Sequence, residues 1–233
     1  MKIGLFGYGK MGKMIERITQ ERGHSIIAKI DADAQYIDYA AMDVAIDFSM
    51  PDAAYNNITG CFKNGVPVIS GTTGWLDRYS EAVAICEKHQ GAFIYASNFS
   101  LGVNLFFELN AQLAKMMAGL KEYNVSMEEI HHTQKLDAPS GTAITLAEGI
   151  IQNSDYEKWA LDNADEGTIP ITSIREGSVP GTHSITYESA VDKIEIKHEA
   201  FNREGFALGA VIAAEWLRGK TGVFTMKDVL NLS

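Results

Sequence analysis

Short apolar runs alternate with longer stretches in which apolar residues recur every three or four positions. KIGLF at 2–6 reads as a brief buried strand, and the helical pattern after GYGKMG runs through MIERITQERG to stop near Gly23. SIIAKI at 25–30 and VAIDF at 44–48 are the next strands. Residues 51–65 start with proline and end with glycine, the asymmetry expected of a helix. PVIS at 67–70, a helix at 76–91 and AFIY at 92–95 complete the first half. Apolar strands spaced by amphipathic helices predict a parallel sheet of the α/β class.

The rhythm changes after Phe99. Residues 102–120 predict a long helix with one broad apolar face made of Phe106, Leu109, Leu113, Met116, Met117 and Leu120, a stripe that suits a core. NVSMEEI then reads as a strand ending at Glu128-Glu129-Ile130, with His131 and His132 leaving it, and a helix follows from Ser140 to Gln152. Residues 154–167 are polar and predict irregular structure. ITSIREGS, HSITYES and KIEIKHEAF alternate in character and predict a mainly antiparallel sheet. A helix at 205–217 and a TMKDVL segment finish the chain. A βαβ half is thus followed by an α+β half, with the boundary near residue 99.

Composition narrows the function class. The 233 residues are 46% hydrophobic and 21% charged, as in ordinary globular proteins. The net charge of −10 argues against nucleic acid as a partner, since phosphate neutralisation needs a basic surface. Cys61 and Cys86 lie far apart without metal-ligand spacing, so we expect reduced, structural thiols and no metal site. The most apolar stretch, Phe206–Leu217, is interrupted by Glu215 and too short for a bilayer, so no membrane partner is expected. A chain that starts MKIGLF and so enters a strand at once leaves no room for a signal peptide, and with two unpaired thiols this points to a cytoplasmic protein.

Gly7-Tyr8-Gly9-Lys10-Met11-Gly12 is G-x-G-x-x-G, placed after the first strand and opening the first helix. In that setting Gly7 permits the turn, Gly9 lets backbone approach a pyrophosphate and Gly12 allows close helix–strand packing. Asp31 closes the second strand at the distance expected of a ribose-binding acid. Together they predict a Rossmann-type dinucleotide-binding domain. Asp31 with Ala32 and Asp33 beside it, and no arginine, favours NADH; Lys10 leaves NADPH usable. Gly71-Thr72-Thr73 and Ala96-Ser97-Asn98-Phe99 follow the fourth and fifth strands, where the ligand crevice of such sheets lies, and are candidates for the cofactor as well.

HHTQKLDAPSGTA at 131–143 sets proton carriers beside a helix start. Ser140 is the expected N-cap, which leaves the amides of Gly141 and Thr142 free for an anion such as a carboxylate. Histidine exchanges protons near neutrality, and Lys135 adds positive charge or a proton. Such a group suits reduction of an anionic unsaturated substrate: hydride from a cofactor, a proton from the protein, a cationic clamp.

The His-His-x-x-Lys-x-Asp-Ala-Pro-Ser-Gly-Thr-Ala run resembles the signature of the dihydrodipicolinate reductase family, also called 4-hydroxy-tetrahydrodipicolinate reductases. The similarity extends to GYGKMG, IDFS, GTTG, ASNFSLGVN, REG, VPGTHS and GK-x-GVF-x-MKDVL, most of the chain. It implies NADH- or NADPH-dependent reduction of a cyclic dicarboxylate to tetrahydrodipicolinate, after loss of water, in the diaminopimelate route to lysine. It implies catalytic roles for His131 and Lys135, with His132, Ser140, Gly141 and Thr142 on the substrate. It also implies a nucleotide domain of residues 1–99 with 208–233, a substrate-binding and oligomerisation domain of residues 100–207, a homotetramer and domain closure. The usual first loop of the family, G-x-x-G-R-M-G, is here one residue tighter, with Lys10 where arginine is common. The basic residue after the ribose acid is missing, and the segments after Asp31 and Arg175 are shorter than usual.

Two other readings compete. Another two-domain nicotinamide dehydrogenase, acting on aspartate or homoserine, explains the first hundred residues equally well but not the 131–143 run. A dinucleotide sensor without turnover would need an interaction element, and no basic cluster is present.

Overall fold

A computed structural model describes residues 1–31, 36–162 and 165–232. Ala32 and Asp33, which enter the cofactor argument, lie outside the described residues. In chain order the elements are β1 Lys2–Phe6, α1 Lys10–Glu21, β2 Ser25–Ile30, β3 Val44–Asp47, α2 Pro51–Lys63, β4 Val68–Ser70, α3 Tyr79–Lys88 and β5 Ala92–Tyr95. Then come α4 Leu101–Met117, β6 Asn124–His131, α5 Gly141–Ile151, β7 Lys158–Leu161, β8 Thr168–Arg175, β9 Gly181–Glu188 and β10 Lys193–Ala200. The chain finishes with α6 Glu204–Leu217, β11 Gly222–Phe224 and α7 Met226–Leu230. It divides into two compact units, Met1–Leu101 with Glu204–Ser233, and Gly102–Arg203. The second cut falls where α6 begins, four residues before the position read from the sequence.

The first unit is a six-stranded sheet in the order β11-β5-β4-β3-β1-β2, parallel throughout. Its central strands read as unbroken apolar runs because both faces are covered. Ile3, Leu5, Val44, Ile46, Ile69 and Ile94 are fully buried, with the small residues Ala207, Ala210 and Ala214 of α6 against them. Truncating one such Leu or Ile to Ala costs about 2–5 kcal/mol. Gly209 brings α6 close to the chain after β5: a Cβ there would meet the Phe99 carbonyl oxygen at 1.7 Å. Strand order reverses between β1 and β3, and the loops after these strands touch, since a Cβ on Gly7 would stand 2.2 Å from the Phe48 carbonyl oxygen. Such a switch point is where open α/β sheets bind ligands. The sixth strand, β11, was not expected from the sequence; three residues, one of them glycine, set between Thr221 and Thr225 give almost no periodic signal.

The second unit has a five-stranded sheet, β10-β9-β6-β8-β7. It is mixed rather than mainly antiparallel, because β8 runs parallel to both β6 and β7. The expectation of irregular structure over 154–167 also fails in part: KWAL forms β7 as the edge strand, with Trp159 against the core. Four residues on an edge are too few for alternation to show. The broad apolar face expected on the long helix splits in two. Val103, Phe106, Asn110, Ala114 and Met117 form the buried line, whereas Leu109, Met116 and Leu120 are exposed. The buried line includes a polar residue because Asn110 Nδ2 donates to the Leu146 carbonyl of α5 at 2.8 Å. Phe106 and Met117 join Val125, Met127, Leu146, Ile150, Ile171 and Ile185 in one core. No helix among the described residues is long and apolar enough to cross a membrane. Both cysteines are free and buried, and burial raises their thiols, Cys61 well above its ordinary value and Cys86 to about 11.

Candidate active site

In the first unit the glycine loop divides its labour as its spacing predicts. Gly7 has φ +85, and a Cβ on Gly12 would press on the Gly7 carbonyl oxygen. Gly9 has nothing within 4 Å of a would-be Cβ, and it caps α1 without any side-chain bond. The loop therefore presents open backbone amides at a helix start, which fits a pyrophosphate. Lys10 is exposed, Met11 packs partly on the core and Asp31 is exposed at the end of β2. Tyr8 donates to Glu16, and Lys29 Nζ meets Glu16 at 2.8 Å, the Tyr8 hydroxyl at 3.0 Å and the Tyr8 ring face at 4.3 Å.

The loop after β4 is held from below. Asp47 is wholly buried and accepts from Ser49 Oγ (2.6 Å), Asn57 Nδ2 (3.1 Å), Ser70 Oγ (2.8 Å) and Thr72 Oγ1 (2.7 Å). Burial raises its carboxyl, and those four side chains oppose the shift. The Thr72 hydroxyl is thus engaged beneath the loop, and Gly71 backs onto the Phe48 ring; Thr73 stays exposed. After β5, Ala96 is half-buried, Ser97 is exposed and Asn98 Oδ1 accepts from the Ser100 amide at 2.9 Å. Phe99 is only 1% exposed and its ring sits 5.9 Å from Phe48, so its side chain belongs to the core.

In the second unit, β6 carries Val125, Met127, Glu129 and His131 on its buried face, so the strand ends on His131. His132 stands just past it, with Nε2 3.4 Å from the Arg203 guanidinium. Lys135 Nζ reaches both oxygens of Asp137 at 2.8 Å, which lowers the Asp137 carboxyl. After a cis Ala138–Pro139 bond, Ser140 caps α5, its Oγ accepting from the Ala143 amide at 3.2 Å. Space is open around Gly141, and Thr142 is half-buried in the first turn.

Beneath this loop lies a polar cluster that no local motif in the sequence marks. Glu129 is 0% exposed and accepts from the Ser140 amide (3.1 Å to each oxygen), Ser173 Oγ (2.9 Å) and Arg175 (3.0 Å). Arg175 also donates to the Asp137 and Lys135 carbonyls, at 2.6 and 3.4 Å, and so straps the loop. His131 Nδ1 is 3.5 Å and His183 Nε2 3.7 Å from Glu129 Oε2, and the two rings meet edge-on with centroids 5.1 Å apart. His183 Nε2 also lies 3.2 Å from Ser140 Oγ. Burial holds His183 down at about 4, with His131 acting in the same direction and Glu129 against. Burial also lowers His131, opposed by the Glu129 charge. The Glu129 carboxyl is lowered on balance: burial pushes it up, and Ser140, Arg175 and Ser173 outweigh that. The available signal was phase: Glu129 is an acid on the apolar face of a strand, where an unpartnered charge is costly.

Residues 1–99 match the dihydrodipicolinate reductase N-terminal family, and residues 102–230 match the corresponding C-terminal family. The chain is similar to the 4-hydroxy-tetrahydrodipicolinate reductase of Christiangramia forsetii, 62% identical over 99% of this chain and 98% of that one. It is 35% identical to the enzyme of that name from Thermosipho africanus, over 99% and 98% of the two chains. Its fold resembles that of dihydrodipicolinate reductase from Paenisporosarcina sp. TG-14, solved with dipicolinate, at a TM-score of 0.78 and 21% identity over 100% and 99% of the chains. Aspartate semialdehyde dehydrogenase II of Vibrio cholerae shares the fold more loosely, at a TM-score of 0.54 and 13% identity over 93% and 97%. With both halves of the sequence matched in order and a relative at 62% identity along its length, the chain belongs to the dihydrodipicolinate reductase family.

Proposed function

We propose that the protein reduces the cyclic dicarboxylate formed from 4-hydroxy-tetrahydrodipicolinate by loss of water, giving tetrahydrodipicolinate in the diaminopimelate route to lysine. The observation that carries this reading is the 131–142 loop: a histidine, a lysine and an open helix start stand together over a buried carboxylate. A bound dinucleotide would supply the hydride. Gly7, Gly9 and Gly12 would hold its pyrophosphate, and Asp31 its adenine-side ribose, with backbone around Thr73 and Ala96–Asn98 toward the nicotinamide end. His131 exchanges the proton. Lys135 gives a second proton or positive charge, and one substrate carboxylate takes the Gly141 and Thr142 amides with His132 beside it.

Asp31 favours NADH, whose ribose 2′-hydroxyl it can accept from. We also infer a cytoplasmic homotetramer, for which light scattering should return about four times the chain mass of 25.5 kDa. The deciding experiment follows nicotinamide oxidation by the purified protein. Substrate is generated in place from pyruvate and aspartate semialdehyde by the preceding synthase, with NADH and NADPH in parallel. Synthase-dependent oxidation, faster with NADH, is expected. Cofactor that binds without being consumed overturns the substrate, and clearly higher catalytic efficiency with NADPH overturns the preference.

A further inference from the structure

The donors around Glu129 are unevenly shared. Oε1 receives Ser173, Arg175 and the Ser140 amide, whereas Oε2 has that shared amide alone among them. Oε2 is instead the oxygen that faces the two imidazoles, 3.5 Å from His131 Nδ1 and 3.7 Å from His183 Nε2. His131 Nδ1 is enclosed and without a hydrogen bond in this structure. Catalytic bonds often stand long before substrate arrives, and 3.5 Å closes with a small ring movement. On the other side of the ring a Cβ at position 181 would stand 3.1 Å from Nε2, so Gly181 keeps that nitrogen clear.

We propose that Glu129 is the positioning residue of the proton-transfer histidine: Oε2 accepts from Nδ1–H of His131 and leaves Nε2 as the nitrogen that exchanges the proton with substrate. The assignment rests on the role given to His131 above. The same carboxylate holds the Ser140 amide, so one buried anchor fixes both the proton carrier and the cap of the helix start that takes the substrate carboxylate. A tautomer set in this way recurs wherever an imidazole works against an enclosed carboxylate.

The charged and titratable groups facing His131 are Glu129, His132, Lys135, Arg175 and His183, and Glu129 is the anion among them. Removing its charge disfavours the imidazolium. The test compares wild type with Glu129→Gln, which keeps size and an acceptor for Arg175, and with His131→Gln as the reference. In Glu129→Gln the alkaline limb of the kcat profile should move to lower pH by about one unit or more. kcat at neutral pH should fall at least about tenfold while NADH affinity holds. By ¹⁵N NMR, wild-type His131 should be the Nδ1–H tautomer, and Glu129→Gln should lose it. An unmoved limb and an unchanged tautomer in Glu129→Gln overturn the proposal. Should that variant fail to fold, an Nε2–H tautomer in wild type overturns it as well. His131→Gln separates the two levels. If it keeps turnover and limb, the role of His131 is wrong; if it loses both while Glu129→Gln changes neither, the positioning role alone falls.

Discussion

A Cβ on Gly12 would stand 2.3 Å from the carbonyl oxygen of Gly7, while one on Gly9 would touch nothing within 4 Å. The two glycines therefore answer to different demands. Gly12→Ala forces backbone apart, which costs about 1–3 kcal/mol, so the melting temperature should drop by several degrees. Gly9→Ala should melt within about 0.5 kcal/mol of wild type yet bind NADH at least tenfold more weakly. Calorimetry and fluorescence titration decide; Gly9→Ala with wild-type affinity would remove the loop from the pyrophosphate.

Asp31→Ala should lower kcat/KM for NADH by roughly 10–100-fold, the worth of hydrogen bonds to a charged acceptor. NADPH, whose 2′-phosphate the carboxylate repels, should lose less or gain. Equal losses with both cofactors would show that Asp31 does not meet the ribose.

Lys135→Ala and His131→Ala should each lower turnover by about 10²–10⁴-fold with NADH affinity retained. Lys135 is restrained by Asp137 at 2.8 Å, so Asp137→Asn should free it and change KM for substrate more than kcat. Unchanged turnover in both alanine variants would remove the catalytic assignment.

His183 ties stability to pH. Unfolded, it titrates at about 6.5; folded, at about 4. Between these values the unfolded chain holds more protons, so stability is full above the upper value and is lost as pH falls through the window. Below the lower value this contribution is flat. The gap is worth on the order of 3 kcal/mol for a side chain this enclosed. Urea unfolding at pH 7 and pH 4.5 should show His183→Gln losing less stability on acidification than wild type. Equal losses would mean that His183 charges freely in the folded state.

Much of this was legible in the sequence because the relevant signals are local. The glycine loop, Asp31 and the Ser140 cap are read from neighbours in the chain, and strands β1 to β5 from short, mostly apolar runs. What escaped depends on distant partners. β7 exists because β8 pairs with it, and β11 because β5 offers an edge. The Thr72 hydroxyl is held by Asp47, 25 residues away in sequence, a pairing that no local pattern announces. Glu129, His183 and Arg175 become one cluster only when β6, β8 and β9 lie side by side. The long helix misled for the opposite reason: its apolar residues exceed what its buried line can use.

The placement of β11 beside β5 has a consequence for how the chain comes into being. The first sheet and its α6 cover draw on residues at both extremes of the sequence. While the ribosome is making the second unit, the β5 edge and the apolar face that α6 will cover stay open. At about 5–20 residues per second, the stretch from residue 101 to residue 224 takes on the order of 6–25 seconds to appear. For that interval the nascent nucleotide-binding half is a natural client for whatever shields apolar surface in the cell. The central unit, by contrast, is contiguous and has all its strands as soon as residue 203 is clear of the tunnel.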